Sequence, residues 1–268
     1  MQNKAWDGIL TPPISGRLNK PRSFGWTMVI DKGIGLAETE DLLRLAADYI
    51  DLIKLTFGTS TLYPRDMLRK KTDLIRARGI GIMPGGTLGE IALWQGQWHA
   101  FLERAGELGF DTLEISDGTI PFSLAARHAA IVSARDAGFI VISEVGKKHP
   151  DDQQPIEAQV EQALLDLEAG AFMIIIEGRE SGKGAGIYDI QGEIHQERLD
   201  YLSSHLPLPK VIWEAPQKSQ QEQLILAFGP NVNLGNIPPG EVLALEALRL
   251  GLRGDTLRIN YKSRVASQ

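Results

Sequence analysis

Short apolar runs alternate with longer amphipathic stretches along the chain from residue 24 onward. The short runs are rich in β-branched residues, as buried strands are, while the longer stretches repeat apolar residues at helical spacing. This alternation predicts repeated βα units around a parallel sheet. The predicted strands are FGWTMVID (24–31), YIDLIKLTF (49–57), GIGIMP (79–84), DTLEIS (111–116), FIVISEV (139–145), FMIIIE (172–177), KVIWEA (210–215) and NVNLGN (231–236).

The stretches between these runs are predicted to be amphipathic helices, for example over residues 38–47 and 124–137. Several of them share a signal at their C-terminal end, a glycine just before the next strand, where left-handed backbone is least costly. This joint indicates βα units that follow one another without a linker. It occurs in RARGI (76–80), GELGF (106–110), RDAGF (135–139) and LEAGA (167–171).

Eight such units predict an α/β protein with a single (β/α)8 barrel of the TIM type. That fold typically needs roughly 250 residues, and the chain has 268. An open doubly wound sheet is the alternative, but no G-x-G-x-x-G follows the first strand and the units continue without a break. We therefore predict an N-terminal arm over 1–22, a catalytic barrel over 23–252 and a C-terminal tail over 253–268.

Composition narrows the possible functions. A formal charge of −6 offers no general attraction for nucleic acid or anionic membranes, and no run approaches the ~18 apolar residues of a membrane span. The absence of cysteine excludes thiolate nucleophiles and cysteine-ligated metals, and it fits a cytoplasmic protein. No secretory signal pattern, H-E-x-x-H or G-x-S-x-G motif occurs, so we expect an unprocessed chain that is neither a zinc hydrolase nor a serine hydrolase.

Four consecutive predicted strands carry a glutamate near their carboxyl ends: Glu114, Glu144, Glu177 and Glu214. The flanking residues are apolar, so two-residue alternation would point these acids into the barrel at one end. Several buried carboxylates need compensating cations, and an oxygen-rich site is suited to Mg²⁺. The alternative is a set of structural salt bridges and helix caps, but four acids in register favour a functional site.

Cationic residues follow several of the same strands. Alternation places Lys148 on the face of Glu144, and Lys147 on the other face. A basic loop with Arg179 and Lys183 follows the sixth strand and could close over a phosphate or a sulfonate. The remaining charged residues near strand ends are Asp31, Lys32, Lys54 and Lys218.

The chain resembles the phosphosulfolactate synthase family over residues 24 to 256. The resemblance implies a (β/α)8 barrel that uses Mg²⁺ to add sulfite to phosphoenolpyruvate, giving phosphosulfolactate for sulfonate pathways such as coenzyme M synthesis. It also implies a homo-oligomer, with a trimer as one candidate assembly. The strings that carry it are TMVIDKG (27–33), ADYIDLIK (47–54), FGTS (57–60), PGGTL (84–88), LEISDGT (113–119), SEVGKK (143–148), IIEGRESGKG (175–184), EAPQKSQQ (214–221), VNLGNI (232–237) and LRGDT (252–256).

The resemblance assigns candidate roles to these positions. Lys148, the second lysine of SEVGKK, is the first candidate for the general acid, with a pKa that neighbouring cations should lower. Lys147 and Lys54 are the other catalytic candidates. The candidate metal ligands are Glu114, Glu144, Glu177 and Asp31, and the candidate substrate-binding residues are Arg179, Lys183, Lys218, Lys32, Ser116, Gly235 and Asn236.

Two other functions are compatible with the same barrel. One is a Schiff-base aldolase with Lys54 or Lys147 as its nucleophile. The other is a non-catalytic protein similar to a plant heat-stress-associated relative. The SEVGKK, GRESGKG and APQKSQQ strings are all retained here, which argues against the non-catalytic alternative.

Overall fold

The computed structural model describes residues 4–149, 152–258 and 261. Eight parallel strands alternate with helices in a nearly closed barrel, so the predicted (β/α)8 fold is confirmed. The strands are β1 (Thr27–Asp31), β2 (Leu52–Leu55), β3 (Gly81–Pro84), β4 (Thr112–Ile115), β5 (Ile140–Val145), β6 (Met173–Ile176), β7 (Val211–Glu214) and β8 (Asn233–Ile237). The helices are α1 (Leu36–Ala46), α2 (Arg65–Arg76), α3 (Gly86–Trp94), α4 (Trp98–Glu107), α5 (Leu124–Asp136), α6 (Ile156–Ala169), α7 (Gln196–His205), α8 (Lys218–Phe228) and α9 (Val242–Arg249).

The sheet runs in the order β3-β2-β1-β8-β7-β6-β5-β4. Its two end strands, β3 and β4, meet at a seam in which a side chain replaces part of the backbone ladder. The backbone N–H of Ile82 donates to the carboxylate of Asp111 at 2.8 Å, and the N–H of Asp111 donates to the carbonyl of Ile82 at 3.4 Å. This seam brings β4, with its strand-end glutamate, beside the start of α3.

Two apolar layers follow from the alternation of side chains along each strand. An inner layer fills the barrel and includes Met28, Ile142 and Ile212, while a larger outer layer lies between the strands and the helices. Leu113 and Ile115 belong to the outer layer, as predicted. The strand-end acid between them therefore points inward.

The element boundaries agree closely with the sequence prediction. The strands β1 to β7 lie within their predicted runs, β8 extends one residue beyond its run to Ile237, and α1 begins two residues earlier than predicted because Leu36 already has helical backbone. The four glycine joints also have the expected left-handed backbone, with φ of 62° at Gly79, 86° at Gly109, 92° at Gly138 and 113° at Gly170.

The described part of the N-terminal arm, residues 4–22, lies against the barrel. Arg17 pairs with Glu246 at 2.9 Å, and Arg22 pairs with Asp51, just before β2, at 2.7 Å. Much of the predicted C-terminal tail, including residues 259–260 and 262–268, lies outside the described residues. None of the helices among the described residues is long and apolar enough to cross a membrane.

Candidate active site

A cavity of about 450 Å³ opens at the carboxyl ends of the strands. The four strand-end glutamates, Glu114, Glu144, Glu177 and Glu214, all point into it, and each is at most 3% exposed. Three of them lie on β4, β5 and β7, and Glu177 directly follows β6, so inward alternation at successive strand ends brings them together. In (β/α)8 barrels this end of the strands carries the chemistry.

Lys54 on β2 occupies the middle of the acidic cluster. Its ammonium nitrogen lies 2.8 Å from Glu114, 3.3 Å from Glu144 and 3.3 Å from Glu214. Burial favours the neutral amine, but the three carboxylates outweigh that effect and hold the pKa of Lys54 well above its usual value. Lys54 is therefore a charged centre around which the acids are arranged.

Lys148 reaches the same cluster from the loop after β5. Its ammonium nitrogen lies 3.5 Å from Glu144 and 3.9 Å from Glu177, and it donates a hydrogen bond to the hydroxyl of Thr87 at 3.2 Å. About a third of its side chain, 31%, is exposed, and it faces the cavity. The amine is therefore open to a ligand in the cavity.

The expectation that neighbouring cations lower the pKa of Lys148 is wrong for the protein alone. The carboxylate of Glu144 has the largest effect and raises that pKa, and the nearby carboxylates together outweigh the lowering by burial and by the charge of Lys54. The same attraction works on Glu144: its burial disfavours the charged form, yet Lys148 and Lys54 together hold the pKa of Glu144 below its usual value. The two residues thus form a charged pair.

Two acids of the cluster, Glu114 and Glu177, hold their protons more tightly. Burial raises the pKa of Glu114 to about 8, although Lys54 opposes the shift. Burial, together with the charges of Glu144 and Glu214, raises the pKa of Glu177 well above its usual value. The buried cluster thus contains more carboxyl groups than ammonium groups, and protons compensate for part of the excess.

Three of the acids, Glu144, Glu177 and Glu214, each offer one carboxylate oxygen, and these oxygens all lie within 4.8 Å of one another. Among the described residues, none donates a hydrogen bond to the buried Oε1 of Glu144 or Oε2 of Glu177. Both oxygens face the ammonium of Lys148, at 3.5 Å for Glu144 and 3.9 Å for Glu177. Converging carboxylate oxygens that lack a hydrogen-bond donor fit a hard divalent cation such as Mg²⁺.

The predicted ligand set differs from this group at two positions. Glu114 is not one of the three converging acids: its Oε1 accepts a hydrogen bond from the N–H of Gly86 at 2.9 Å, and its Oε2 forms an ion pair with Lys54 at 2.8 Å. Glu214, which sequence reasoning placed among the strand-end acids but not among the ligands, contributes an oxygen instead.

Asp31, the remaining predicted ligand, lies away from the cavity. Ile30 is the residue of β1 that lines the cavity, so Asp31 points outward towards α2. There its carboxylate lies 2.5 Å from the buried ammonium of Lys71 and accepts a hydrogen bond from the N–H of Gly33 at 2.7 Å. The structure does not bring Asp31 to the other predicted ligands.

Two predicted cationic residues have partners outside the cavity. Lys147 donates to the carboxylate of Asp117 at 2.6 Å and to the carbonyl of the same residue at 2.7 Å. Lys218 pairs with Glu222 and Asp255, each at 2.7 Å. These contacts make both side chains part of the loop structure around the site.

The remaining predicted cationic residues lie at or near the rim. Lys32 is half exposed and pairs with Glu180, which lines the cavity. Arg179 lines the cavity with an exposed side chain, and Lys183 is exposed in the same loop. The rim therefore carries the positive charge that the buried cluster lacks.

The three uncharged candidates have different surroundings. Ser116 is buried and donates to Glu90 at 2.6 Å. Gly235 lies opposite Glu214 in the sheet register. A Cβ at Gly235 would contact Met28 in the inner apolar layer, so Gly235 lies below the cavity. Asn236 lines the cavity, and its amide donates to the backbone carbonyl of Arg179 at 3.4 Å.

Three non-glycine residues among those described have left-handed backbone: Phe57 with φ of 58°, Arg179 with φ of 61° and Asn236 with φ of 56°. All three line the cavity. Such conformations are costly and tend to persist where function requires them. Sequence reasoning did not include Phe57 or Thr87 among the candidate site residues, although the strings FGTS and PGGTL contain them.

An acidic cavity with two lysines, at the carboxyl end of eight parallel strands, defines an enzyme of the (β/α)8-barrel class. A model of the (2R)-phospho-3-sulfolactate synthase (ComA) family matches residues 15–255, and the chain belongs to this family.

Curated relatives agree with the family match. The chain is 48% identical over 251 residues to a phosphosulfolactate synthase of Methanothermobacter thermautotrophicus, covering 93% of this chain and 96% of the relative. It is 40% identical over 243 residues to a phosphosulfolactate synthase of Bacillus subtilis, covering 90% and 95%.

A solved structure supports the fold alone. The 3-hexulose-6-phosphate synthase of Salmonella typhimurium superposes with a TM-score of 0.57 at 15% identity, covering 85% of this chain and 100% of that one.

Proposed function

We propose that this enzyme adds sulfite to phosphoenolpyruvate in the presence of Mg²⁺, giving (2R)-2-O-phospho-3-sulfolactate. The observation that carries the proposal is the juxtaposition of Lys148, open to the cavity, with three converging carboxylates on β5, β6 and β7. The family and its named relatives supply the product.

Both substrates are anions, and the chain as a whole is acidic, so local positive charge must hold them. Arg179 and Lys183 lie on one loop at the rim, and Lys32 approaches from the loop after β1. We assign the phosphate and sulfite contacts to this rim, with Arg179 as the principal residue because it lines the cavity. Lys218 lies farther out, paired with two carboxylates.

The reaction joins one sulfite, one phosphoenolpyruvate and one proton into a single product. The lone pair on the sulfur of sulfite forms a bond to C3 of phosphoenolpyruvate, and the electron pair of the C2–C3 double bond moves towards the substrate carboxylate. That electron pair then takes a proton at C2. A bound Mg²⁺ supplies positive charge for the substrate carboxylate as negative charge develops there.

Lys148 is the proton donor in this scheme. Its amine is charged, is exposed to the cavity and lies on the side of Glu144 and Glu177. A cation held by Glu144 and Glu177 would weaken their attraction for the Lys148 proton and so would favour its donation to C2. The neutral amine regains a proton from solvent after product release.

The geometry gives little support to a Schiff-base aldolase. A nucleophilic amine must be neutral and accessible. Lys54 is buried among three carboxylates that keep it charged, and Lys147 is paired with Asp117 outside the cavity.

The test is product formation by the purified protein with Mg²⁺, phosphoenolpyruvate and sulfite, followed by mass spectrometry. We expect a new sulfonate with the mass of both substrates plus one proton, lost with EDTA and restored by Mg²⁺. An absence of sulfonate at any Mg²⁺ concentration would overturn the proposal and favour a non-catalytic role. A borohydride-trapped adduct on Lys54 or Lys147 with a carbonyl substrate, with turnover insensitive to EDTA, would favour the aldolase.

A further inference from the structure

The side chain of Lys148 runs along the backbone of Gly118, in the loop that follows β4. The carbonyl of Gly118 accepts a hydrogen bond from the N–H of Lys148 at 3.2 Å. A Cβ added to Gly118 would lie 3.3 Å from Cε and 3.4 Å from Cδ and Cγ of Lys148. The bare backbone of Gly118 therefore forms one wall of the channel that leads the amine towards Glu144.

The loop that provides this wall is fixed to α3. Glu90 is 1% exposed, and one of its carboxylate oxygens accepts from the hydroxyl of Ser116 at 2.6 Å. Its other oxygen accepts from the backbone N–H of Thr119 at 3.0 Å and of Ile120 at 2.7 Å. These bonds lie on both sides of Gly118, so a single buried carboxylate sets the position of the wall.

The same loop is fixed to the end of β5 by Lys147. Its ammonium donates to both the side chain and the backbone carbonyl of Asp117. Arg127 completes the connection, because it donates to the carboxylate of Asp117 at 3.0 Å and to the backbone carbonyl of Glu144 at 2.8 Å. Two buried or nearly buried cations thus join the loop to the strand end from which Lys148 extends.

We propose that Lys147 and Gly118 are positioning residues for Lys148. Lys147 holds the loop against β5, and Gly118 leaves the space through which the Lys148 amine reaches Glu144 and Glu177. This inference rests on the proposed function, in which Lys148 donates the proton to C2. It gives Lys147 a structural role in the reaction in place of the catalytic role predicted from sequence.

The first test compares Lys147→Ala with Lys147→Arg. Arginine keeps a cation for Asp117 but cannot act as a proton donor near neutral pH. We expect Lys147→Ala to lower kcat on the order of 10- to 100-fold, the scale of an ångström-level misplacement, with little change in KM. Lys147→Arg should restore most of that loss. If both variants lose kcat equally, Lys147 is the proton donor itself and the proposal is wrong.

The second test narrows the channel with Gly118→Ala and Gly118→Val. Because backbone φ at Gly118 is not left-handed, both side chains fit the local backbone and act on Lys148. We expect a graded loss of kcat and a rising fraction of the 2S product, since solvent can protonate either face once the lysine is displaced. Gly35→Ala and Gly35→Val are matched controls, because a Cβ at Gly35 meets nothing within 4 Å. Wild-type kcat and stereochemistry in both Gly118 variants would overturn the proposal.

A failure of the proposed function can be distinguished from a failure of the positioning role. If the wild-type protein makes no sulfonate, that function is wrong whatever the variants do. A crystal structure of Gly118→Val still tests the positioning role: we expect the distance between the Lys148 ammonium and Glu144 to increase from 3.5 Å. An unchanged distance would contradict the positioning role independently of the reaction.

Discussion

Two lysines point into the acidic cavity, but their surroundings give them different roles. Lys54 is enclosed by three carboxylates within 3.3 Å, so it organises the acids. Lys148 has a side chain that is 31% exposed and a single carboxylate, Glu144, within 3.5 Å. At the level of single residues, Lys148 is therefore the one able to reach a substrate carbon.

Replacing Lys148 with alanine tests this assignment. We expect Lys148→Ala to lower kcat at least ~100-fold, the scale of a lost general acid, while KM for phosphoenolpyruvate changes much less because the rim residues remain. Steady-state kinetics with a sulfonate-specific assay measure both parameters. Turnover near the wild-type rate would transfer the acid role to another group.

The sequence alone does not show which of Asp31 and Glu214 faces the cavity as a metal ligand. Both acids end a strand, and both are preceded by an apolar residue, Ile30 and Trp213. In a parallel barrel both faces of a strand are buried, so apolar residues do not show which face is inward. The structure places Ile30 inside and Trp213 outside, which turns Asp31 away from the cavity and Glu214 into it.

At the level of elements, the segment between β6 and α7 depends on a contact with α8. Gln220 is fully buried, and its side-chain amide donates to the carbonyls of Gly182 at 2.7 Å and Gly192 at 3.0 Å. The segment carries Arg179 at the rim of the cavity. Gln220 thus holds the loop that we assign to anion binding, together with Gln217, whose side-chain amide donates to the carbonyl of Ser181 at 2.7 Å.

Replacing Gln220 with alanine should loosen this loop. The loss of two buried hydrogen bonds costs roughly 1–3 kcal/mol, because the carbonyls are left without partners. We expect faster hydrogen exchange in residues 180–192, with a higher KM for phosphoenolpyruvate and a smaller effect on kcat. Gln223→Ala is the matched control, since Gln223 is exposed on the same helix. Equal exchange in the two variants would contradict the anchoring role.

The strands and glycine joints could be predicted from sequence because their signals are local. Gly109 and Gly138, for example, mark helix ends through the backbone conformation they allow. The anchoring of the β6–α7 segment could not be predicted, because Gln220 contacts Gly182 across 38 residues and binds backbone carbonyls that every residue possesses.

For the whole molecule, the two ends of the barrel differ in how charges are matched. At the amino end of the strands, Arg22 and Asp51 form a buried pair at 2.7 Å, and Asp51 also accepts from the N–H of Thr27 at 2.8 Å. At the carboxyl end, four glutamates face the ammonium groups of Lys54 and Lys148. The fold thus keeps matched charges where it needs stability and an excess of carboxyl groups where it binds ligands.

The excess of carboxyl groups predicts that binding of Mg²⁺ releases protons from the buried glutamates. Burial raises the pKa of Glu114 from 4.5 to about 8, so this group is largely protonated at neutral pH, and burial with the charges of Glu144 and Glu214 raises the pKa of Glu177 well above its usual value. A carboxyl with a raised pKa holds its proton below that pKa and loses it above, whereas a metal ligand must be ionised. Mg²⁺ affinity should therefore rise with pH, because the ligand Glu177 must lose its proton and because loss of the Glu114 proton around pH 8 adds negative charge beside the ligands.

Isothermal titration calorimetry with Mg²⁺, in two buffers of different ionisation enthalpy, measures the exchange. We expect the binding heat to depend on the buffer at neutral pH, because protons released from the cluster enter the buffer. Glu222→Gln provides the control, since Glu222 lies outside the cavity on α8, and it should release the same number of protons as the wild type. Buffer-independent heats with pH-independent affinity would mean that the acids are already ionised. The four carboxylates would then exceed the ammonium groups of Lys54 and Lys148 by two negative charges, and Mg²⁺ would balance that excess without releasing protons.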